Sequence, residues 1–232
     1  MADSAGIDVK VVELRDRVRH AMADAFSPLV NWFDQRNISP DQLTWLGLGL
    51  AILTALLAGF RVFTVAGIIY LIAGAVDLLD GALARRANTA SGGGAFLDSV
   101  LDRAGEGVVH AGAAVAFAYW GVWAGVLAVA LSLSGGYLTS YARARAEGLG
   151  IELPEVWFGR GERLVLLALG LIFHFAFVAF WILAVLCWAS AAHRIWLARR
   201  RLAPAPPAVE AGEEEAEAGE DASGSPQEDK PD

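Results

Sequence analysis

The stretch "DLLDGALARRANTASGGGAFLDSVLD", residues 77–102, lies between two runs apolar enough for lipid. Within it stand Asp77, Asp80, Asp98 and Asp102, together with Arg85 and Arg86. A charged side chain in hydrocarbon is costly even on lenient insertion scales. Bland packing does not account for so many acids here.

Outward from this stretch, the chain has 232 residues, a mean hydropathy of +0.45 and 56% hydrophobic residues. Those values place it in the membrane class. The net charge of −8 misleads until the chain is divided. Residues 203–232 hold ten acids and one lysine, which leaves 16 acids against 17 bases for residues 1–202. The acidity therefore belongs to a Pro-, Ala-, Glu- and Gly-rich tail with almost nothing to bury, expected to be disordered and solvated. The single cysteine, Cys187, excludes an intrachain disulfide and a multi-cysteine metal site. No apolar h-region precedes the N-terminal charges, so no cleavable signal peptide is expected. No nucleic-acid partner is expected either.

Six apolar segments, near 41–60, 63–80, 95–119, 122–142, 162–176 and 177–196, each approach the ~20 helical residues a bilayer core requires. The last pair leaves only a tight turn around His174. The expected fold is all-α: a polytopic membrane protein of six transmembrane helices with an N-terminal amphipathic juxtamembrane helix. Residues 1–36 form the cytoplasmic N-terminal segment, 37–202 the membrane domain and 203–232 the acidic tail. Basic residues orient the spans. Lys10, Arg15, Arg17, Arg19 and Arg36 precede the first span, Arg85 and Arg86 fill the second connection, and Arg143, Arg145, Arg160 and Arg163 the fourth. Arg194, Arg199, Arg200 and Arg201 flank the C-terminus, whereas the odd-numbered connections offer only Arg61. The positive-inside rule then puts both termini in the cytoplasm, with the plasma membrane as the expected location.

Ahead of the first span, Val11, Leu14, Val18, Met22, Phe26, Leu29 and Phe33 recur at helical spacing and form one apolar face. Two readings stand side by side: a helix lying on the cytoplasmic leaflet, or an ordinary amphipathic helix packed on the protein. Trp120 and Trp123 fall near the opposite face as interfacial anchors.

The second helix runs inward, so Asp77 and Asp80 come at its cytoplasmic end, three apart and on one face. The third starts near Gly94; at ~1.5 Å per residue, Asp98 lies about 6 Å and Asp102 about 12 Å along it. Two adjacent helices can thus bring four carboxylates together just below the inner surface. Left alone they repel one another. Divalent cations remove the conflict, and hard carboxylate oxygens suit Mg²⁺ or Mn²⁺. Four carboxylates suffice to bridge two ions, a geometry that clamps phosphoryl groups. Gly81, after Asp80, and the Gly92–Gly94 run admit close approach of a ligand or backbone, and Arg85 supplies a donor fork for phosphate.

Residues 77–102 resemble the signature of the CDP-alcohol phosphatidyltransferases, D-x2-D-G-x2-A-R-x8-G-x3-D-x3-D, at every fixed position: Asp77, Asp80, Gly81, Ala84, Arg85, Gly94, Asp98 and Asp102. The likeness extends over about residues 36–200. It implies that Asp77, Asp80 and Asp98 hold a pair of Mg²⁺ or Mn²⁺ ions, with Asp102 completing the set or acting as general base. It further implies that Asp77, Gly81, Ala84 and Arg85 line the CMP site. "NISPDQLTWLGL" resembles the family's P-N-x-x-T stretch bordering the nucleotide; Pro40 and Thr44 match, and Asp41 stands where the family has Asn. The implied reaction transfers a phosphatidyl group from a CDP-linked lipid to an alcohol, releasing CMP. Homodimerisation is a family expectation, and small residues such as Gly112 and Ala113 permit close helix packing.

The fourth connection bears on the acceptor. Arg143, Arg145, Arg160 and Arg163 point to an anionic sugar or polyol phosphate, although a positive-inside flank accounts for some of them. "RARAE" followed by "RGER" resembles the inositol-phosphate-using branch, with Arg143 where that branch favours Lys and Gly161 where it favours Pro. Inositol phosphate is the first acceptor expected and glycerol 3-phosphate its rival; serine or free inositol ranks lower because it leaves the arginines unexplained. A non-enzymatic ion carrier would distribute acids through the membrane depth, and here they sit in one layer. An inactive scaffold fits poorly with a complete signature. His110 and His174 read as isolated polar residues rather than ligands.

Overall fold

The computed structural model describes residues 27–86, 91–154 and 157–202, and every regular element among them is helical. Residues 27–35 (α1) precede α2 (Pro40–Gly59), α3 (Phe63–Arg86), α4 (Gly92–Tyr119), α5 (Trp123–Glu147), α6 (Arg160–Ile172) and α7 (Ala176–Leu202). The expected apolar runs map one to one onto α2–α7. The acidic tail and the expected amphipathic face up to Phe26 lie outside the described residues.

Local chemistry sets the helix starts. Ser39 and Gln42 form a reciprocal capping box at α2, with Ser39 N donating to Gln42 Oε1 (3.0 Å), Gln42 N to Ser39 Oγ (3.3 Å), and Pro40 at the first helical turn. Ser91 caps α4, its Oγ accepting from Gly94 N at 3.0 Å. Between α6 and α7 the chain reverses through His174, whose φ of 60° is left-handed and whose Nε2 lies 3.0 Å from Thr64 Oγ1. The tight turn expected there is present.

Four helices are long and apolar enough to cross a bilayer: α2, α3 over Phe63–Ala84, α5 and α7. The other two depart from that pattern for visible reasons. α4 spans 28 residues but carries Asp98, Asp102, Arg103 and Glu106 between its N-terminus and its middle, and α6 has only 13 residues.

α4 packs between α2 and α5, α3 between α2 and α6, and α7 against α5 and α6. Missing side chains set these crossings. A Cβ on Gly112 would stand 2.2 Å from Ala55 O of α2, one on Gly67 2.6 Å from Ala168 O of α6, and one on Gly135 2.9 Å from Cys187 Cβ of α7. Between helices in an apolar solvent, dispersion at such close approach replaces the hydrophobic drive. Gly112 and the buried Ala113 therefore serve packing within the chain. Phe180, Leu167, Leu171, Leu183 and Val109 fill the core around them.

The described part of α1 packs on the protein: Val30 joins Leu43, Leu79 and Leu83 in a small cluster, with Phe33 against it. Leu29, assigned from spacing to the apolar face, is 40% exposed, and Val30 occupies the contact instead. This cluster braces α2 and α3 beside the acidic stretch.

Candidate functional site

Of the four acids expected to converge, three form one cluster and Asp80 stands apart from it. Asp77 and Asp80 occupy one face of the last turns of α3, and Asp98 and Asp102 one face of the first turns of α4. Asp77, Asp98 and Asp102 each present a carboxylate oxygen, and the three lie within 4.8 Å of one another. Asp80 sits deeper, 6% exposed, where Thr44 Oγ1 of α2 reaches its Oδ2 at 3.0 Å and Pro40 O at 3.1 Å. The Pro40–Thr44 turn thus touches the signature directly.

Asp98 Oδ1 is buried with no hydrogen-bond partner among the described residues. Buried polar atoms are almost always satisfied, and a carboxylate oxygen lacking a donor is what a hard cation satisfies. The oxygen-only donor set and the crowding of anions both fit Mg²⁺ or Mn²⁺.

The four arginines of the fourth connection separate. Arg160 turns into the acids, its Nη1 lying 2.7 Å from both Asp77 oxygens and 2.5 Å from Asp102 Oδ2. Burial works against its charge, and the carboxylates of Asp77 and Asp102 offset that cost. Arg163, one turn further along α6, is buried in a two-pronged pair with Glu106 of α4, Nε to Oε1 at 2.9 Å and Nη2 to Oε2 at 3.1 Å. Arg143 is exposed and paired with Glu147 at 2.7 Å, and Arg145 is exposed.

Gly81 and Ala84 are half-buried on α3, and Arg85 follows on the same helix. Gly94 sits against the Ser91 cap, and a Cβ there would come 3.3 Å from Ser91 Oγ and 3.6 Å from Asp41 Oδ1. Asp41, where the resembling stretch has Asn, therefore faces the N-terminus of α4, the favourable end for an anion. A cavity lined by Thr44, Tyr70, Asp77, Asp80, Asp102 and Arg160 runs inward to Glu106.

Sequence reasoning did not single out Glu106, Tyr70 or Arg194. Glu106 stands four residues beyond Asp102, on the face the signature already defines, and that spacing was its signal. Arg194 was read as C-terminal flank. It is buried, its Nη1 donating to Thr139 O at 2.9 Å, its Nε without a partner, within the field of Arg143, Arg163 and Arg103. His110, bridging Glu106 O (2.8 Å) and Ser132 Oγ (2.9 Å), stays a structural polar residue, as does His174.

A bundle of membrane-type helices that gathers carboxylates at one end of a cavity defines a membrane-embedded enzyme class built to handle phosphoryl groups through metal-ligating acids. The CDP-alcohol phosphatidyltransferase family model matches residues 37–196, and the chain belongs to that family. It is 33% identical over 171 residues to an archaetidylinositol phosphate synthase of Pyrococcus horikoshii, covering 71% of this chain and 86% of the relative. The phosphatidylinositol phosphate synthase of Mycobacterium tuberculosis with CDP-DAG bound superposes with a TM-score of 0.70 at 25% identity, covering 79% of this chain and 96% of that one. The same enzyme in complex with manganese and citrate gives a TM-score of 0.68 at 26% identity, covering 79% and 91%.

Proposed function

We propose that this chain transfers the phosphatidyl group of a CDP-linked lipid to a hydroxyl of an inositol phosphate, releasing CMP. One observation carries the reading: Asp77, Asp98 and Asp102, from two helices, converge to within 4.8 Å in a member of this family. The names of its relatives support the donor and the acceptor.

In this reading Asp77, Asp80, Asp98 and Asp102 hold two divalent cations, Mg²⁺ or Mn²⁺. Such ions, when bound, stabilise charge on a diphosphate and its leaving group. Thr44 orients Asp80, while Pro40, Thr44, Gly81, Ala84 and Arg85 border the nucleotide. Asp102 accepts the proton of the acceptor hydroxyl. The hydroxyl oxygen then bonds to the lipid-side phosphorus, and the bond from that phosphorus to the CMP oxygen breaks, its electron pair leaving with CMP. Arg143, Arg145, Arg163 and Arg194 supply positive field for the acceptor phosphate; the partnerless Nε of Arg194 supports that assignment. Arg160, assigned to the same acceptor from its place in the sequence, pairs instead with Asp77 and Asp102.

The membrane domain in this reading runs over 37–202 and crosses the bilayer six times, because α4 and α6 pack among the four apolar spans. Both termini face the cytoplasm of a plasma-membrane protein, by the distribution of basic residues. A homodimer would use a surface other than Gly112 and Ala113.

The test is CMP release by the purified protein from labelled CDP-diacylglycerol and its archaeal ether analogue. The acceptors are inositol phosphate, glycerol 3-phosphate, free inositol and serine. Release with inositol phosphate supports the proposal; release with glycerol 3-phosphate alone replaces the acceptor; no release with any removes the reading.

A further inference from the structure

One nitrogen of Arg160 stands at bonding distance from three carboxylate oxygens, Asp77 Oδ1 and Oδ2 at 2.7 Å and Asp102 Oδ2 at 2.5 Å. A guanidinium Nη carries two hydrogens. Only the two Asp77 contacts have hydrogen-bond geometry, and the Asp102 contact is an ion pair without a directed hydrogen. A directional donor is therefore placed where the oxygens surround a point. That arrangement suits a spherical cation better than a planar fork, for which matched, parallel pairing with one carboxylate is the favoured geometry. The neighbouring Arg163–Glu106 pair has that parallel geometry, one nitrogen to each oxygen.

We propose that Arg160 is a built-in competitor for the divalent cations of the carboxylate cluster: cation binding displaces its guanidinium from Asp77 and Asp102, and its removal tightens cation binding. The proposal rests on the metal-ligand reading above and adds a mobile positive charge to it. The fold makes the exchange local. Arg163 is fixed to Glu106 three residues along the same helix, and Gly136 of α5 leaves room for that pair, its hypothetical Cβ standing 3.2 Å from Glu106 Oε1. Helix α6 is thus anchored, and the Arg160 side chain, 30% exposed, lies at the cavity wall. Both a guanidinium and a dication neutralise the same oxygens, and the two cannot stand at 2–3 Å from them together without strong mutual repulsion. When the dication wins, the released guanidinium stays in the cavity, facing the region where an anionic substrate arrives.

The experiment is a Mn²⁺ titration of the full chain in detergent, followed by the electron paramagnetic resonance signal of free Mn²⁺, for wild type and Arg160→Gln. Removing one nearby positive charge is expected to tighten Mn²⁺ binding by about tenfold or more, equivalent to about 1.4 kcal/mol. With chelator present, Arg160→Gln is expected to melt at lower temperature than wild type, and saturating Mn²⁺ should close that gap. A second measurement uses wild type alone: phenylglyoxal modification at Arg160, read by peptide mass spectrometry, should accelerate when Mn²⁺ is added. Equal or weaker Mn²⁺ binding by the variant, or modification of Arg160 unchanged by Mn²⁺, overturns the competition while leaving the metal site standing. No Mn²⁺ binding by either protein overturns the metal-ligand reading and this proposal with it.

Discussion

Thr44 Oγ1 stands 3.0 Å from Asp80 Oδ2, tying the first turns of α2 to the end of α3 at a carboxylate that is 6% exposed. The contact joins two stretches 36 residues apart and fixes the rotamer of the most enclosed acid in the cluster. Thr44→Val keeps the shape and removes the donor. A buried acceptor left unsatisfied costs about 1–3 kcal/mol, so the melting temperature should fall and CMP release should drop about tenfold. Unchanged melting and turnover would show that Asp80 does not depend on Thr44.

Asp102 is the proposed base, so Asp102→Asn should abolish transfer while helical circular dichroism and detergent-stable size are retained. Loss of a positioned base costs about 10²–10⁴-fold. Full activity in that variant excludes the assignment.

Chelation should stop turnover, and Mg²⁺ or Mn²⁺ should restore it, because Asp98 Oδ1 has no hydrogen-bond partner among the described residues and Asp77, Asp98 and Asp102 converge to within 4.8 Å. Asp98→Asn should weaken Mn²⁺ binding measurably by the same free-ion signal. Turnover that survives chelation would remove the cations from the chemistry.

The Glu106–Arg163 pair is buried on both sides, 7% exposed at each side chain. Breaking such a pair from one side strands the other charge and costs about 3–5 kcal/mol. Glu106→Gln and Arg163→Met should each lower the melting temperature sharply, and the double variant should recover part of the loss. If the double variant melts at the sum of the single losses, the two charges are not coupled.

Arg143 and Arg194 share one electrostatic neighbourhood but differ in burial. Arg143→Gln should raise KM for the acceptor far more than KM for the CDP-lipid, with little effect on stability because its Glu147 partner is exposed. If both KM values stay at their wild-type level, the acceptor binds elsewhere.

The sequence by itself determined the helical membrane class, the order of the six apolar helices and the placing of the acids in pairs on one face of α3 and one face of α4. Hydropathy is a property of consecutive residues, and carboxylates spaced three and four apart on a helix share a face wherever that helix is placed. The family was legible for the same reason: its signature is local, eight positions within Asp77–Asp102. Tertiary structure decided where the arginines went. Arg143, Arg145, Arg160 and Arg163 look equivalent in a linear reading, yet α6 docks with Arg160 on Asp77 and Asp102 and with Arg163 on Glu106, while α5 leaves Arg143 and Arg145 at the surface. Partners across helices depend on crossing points set by backbone contact, such as Gly112 against Ala55 and Gly67 against Ala168. A glycine in the sequence carries no record of which backbone it admits, so those pairings exist only once the helices are packed.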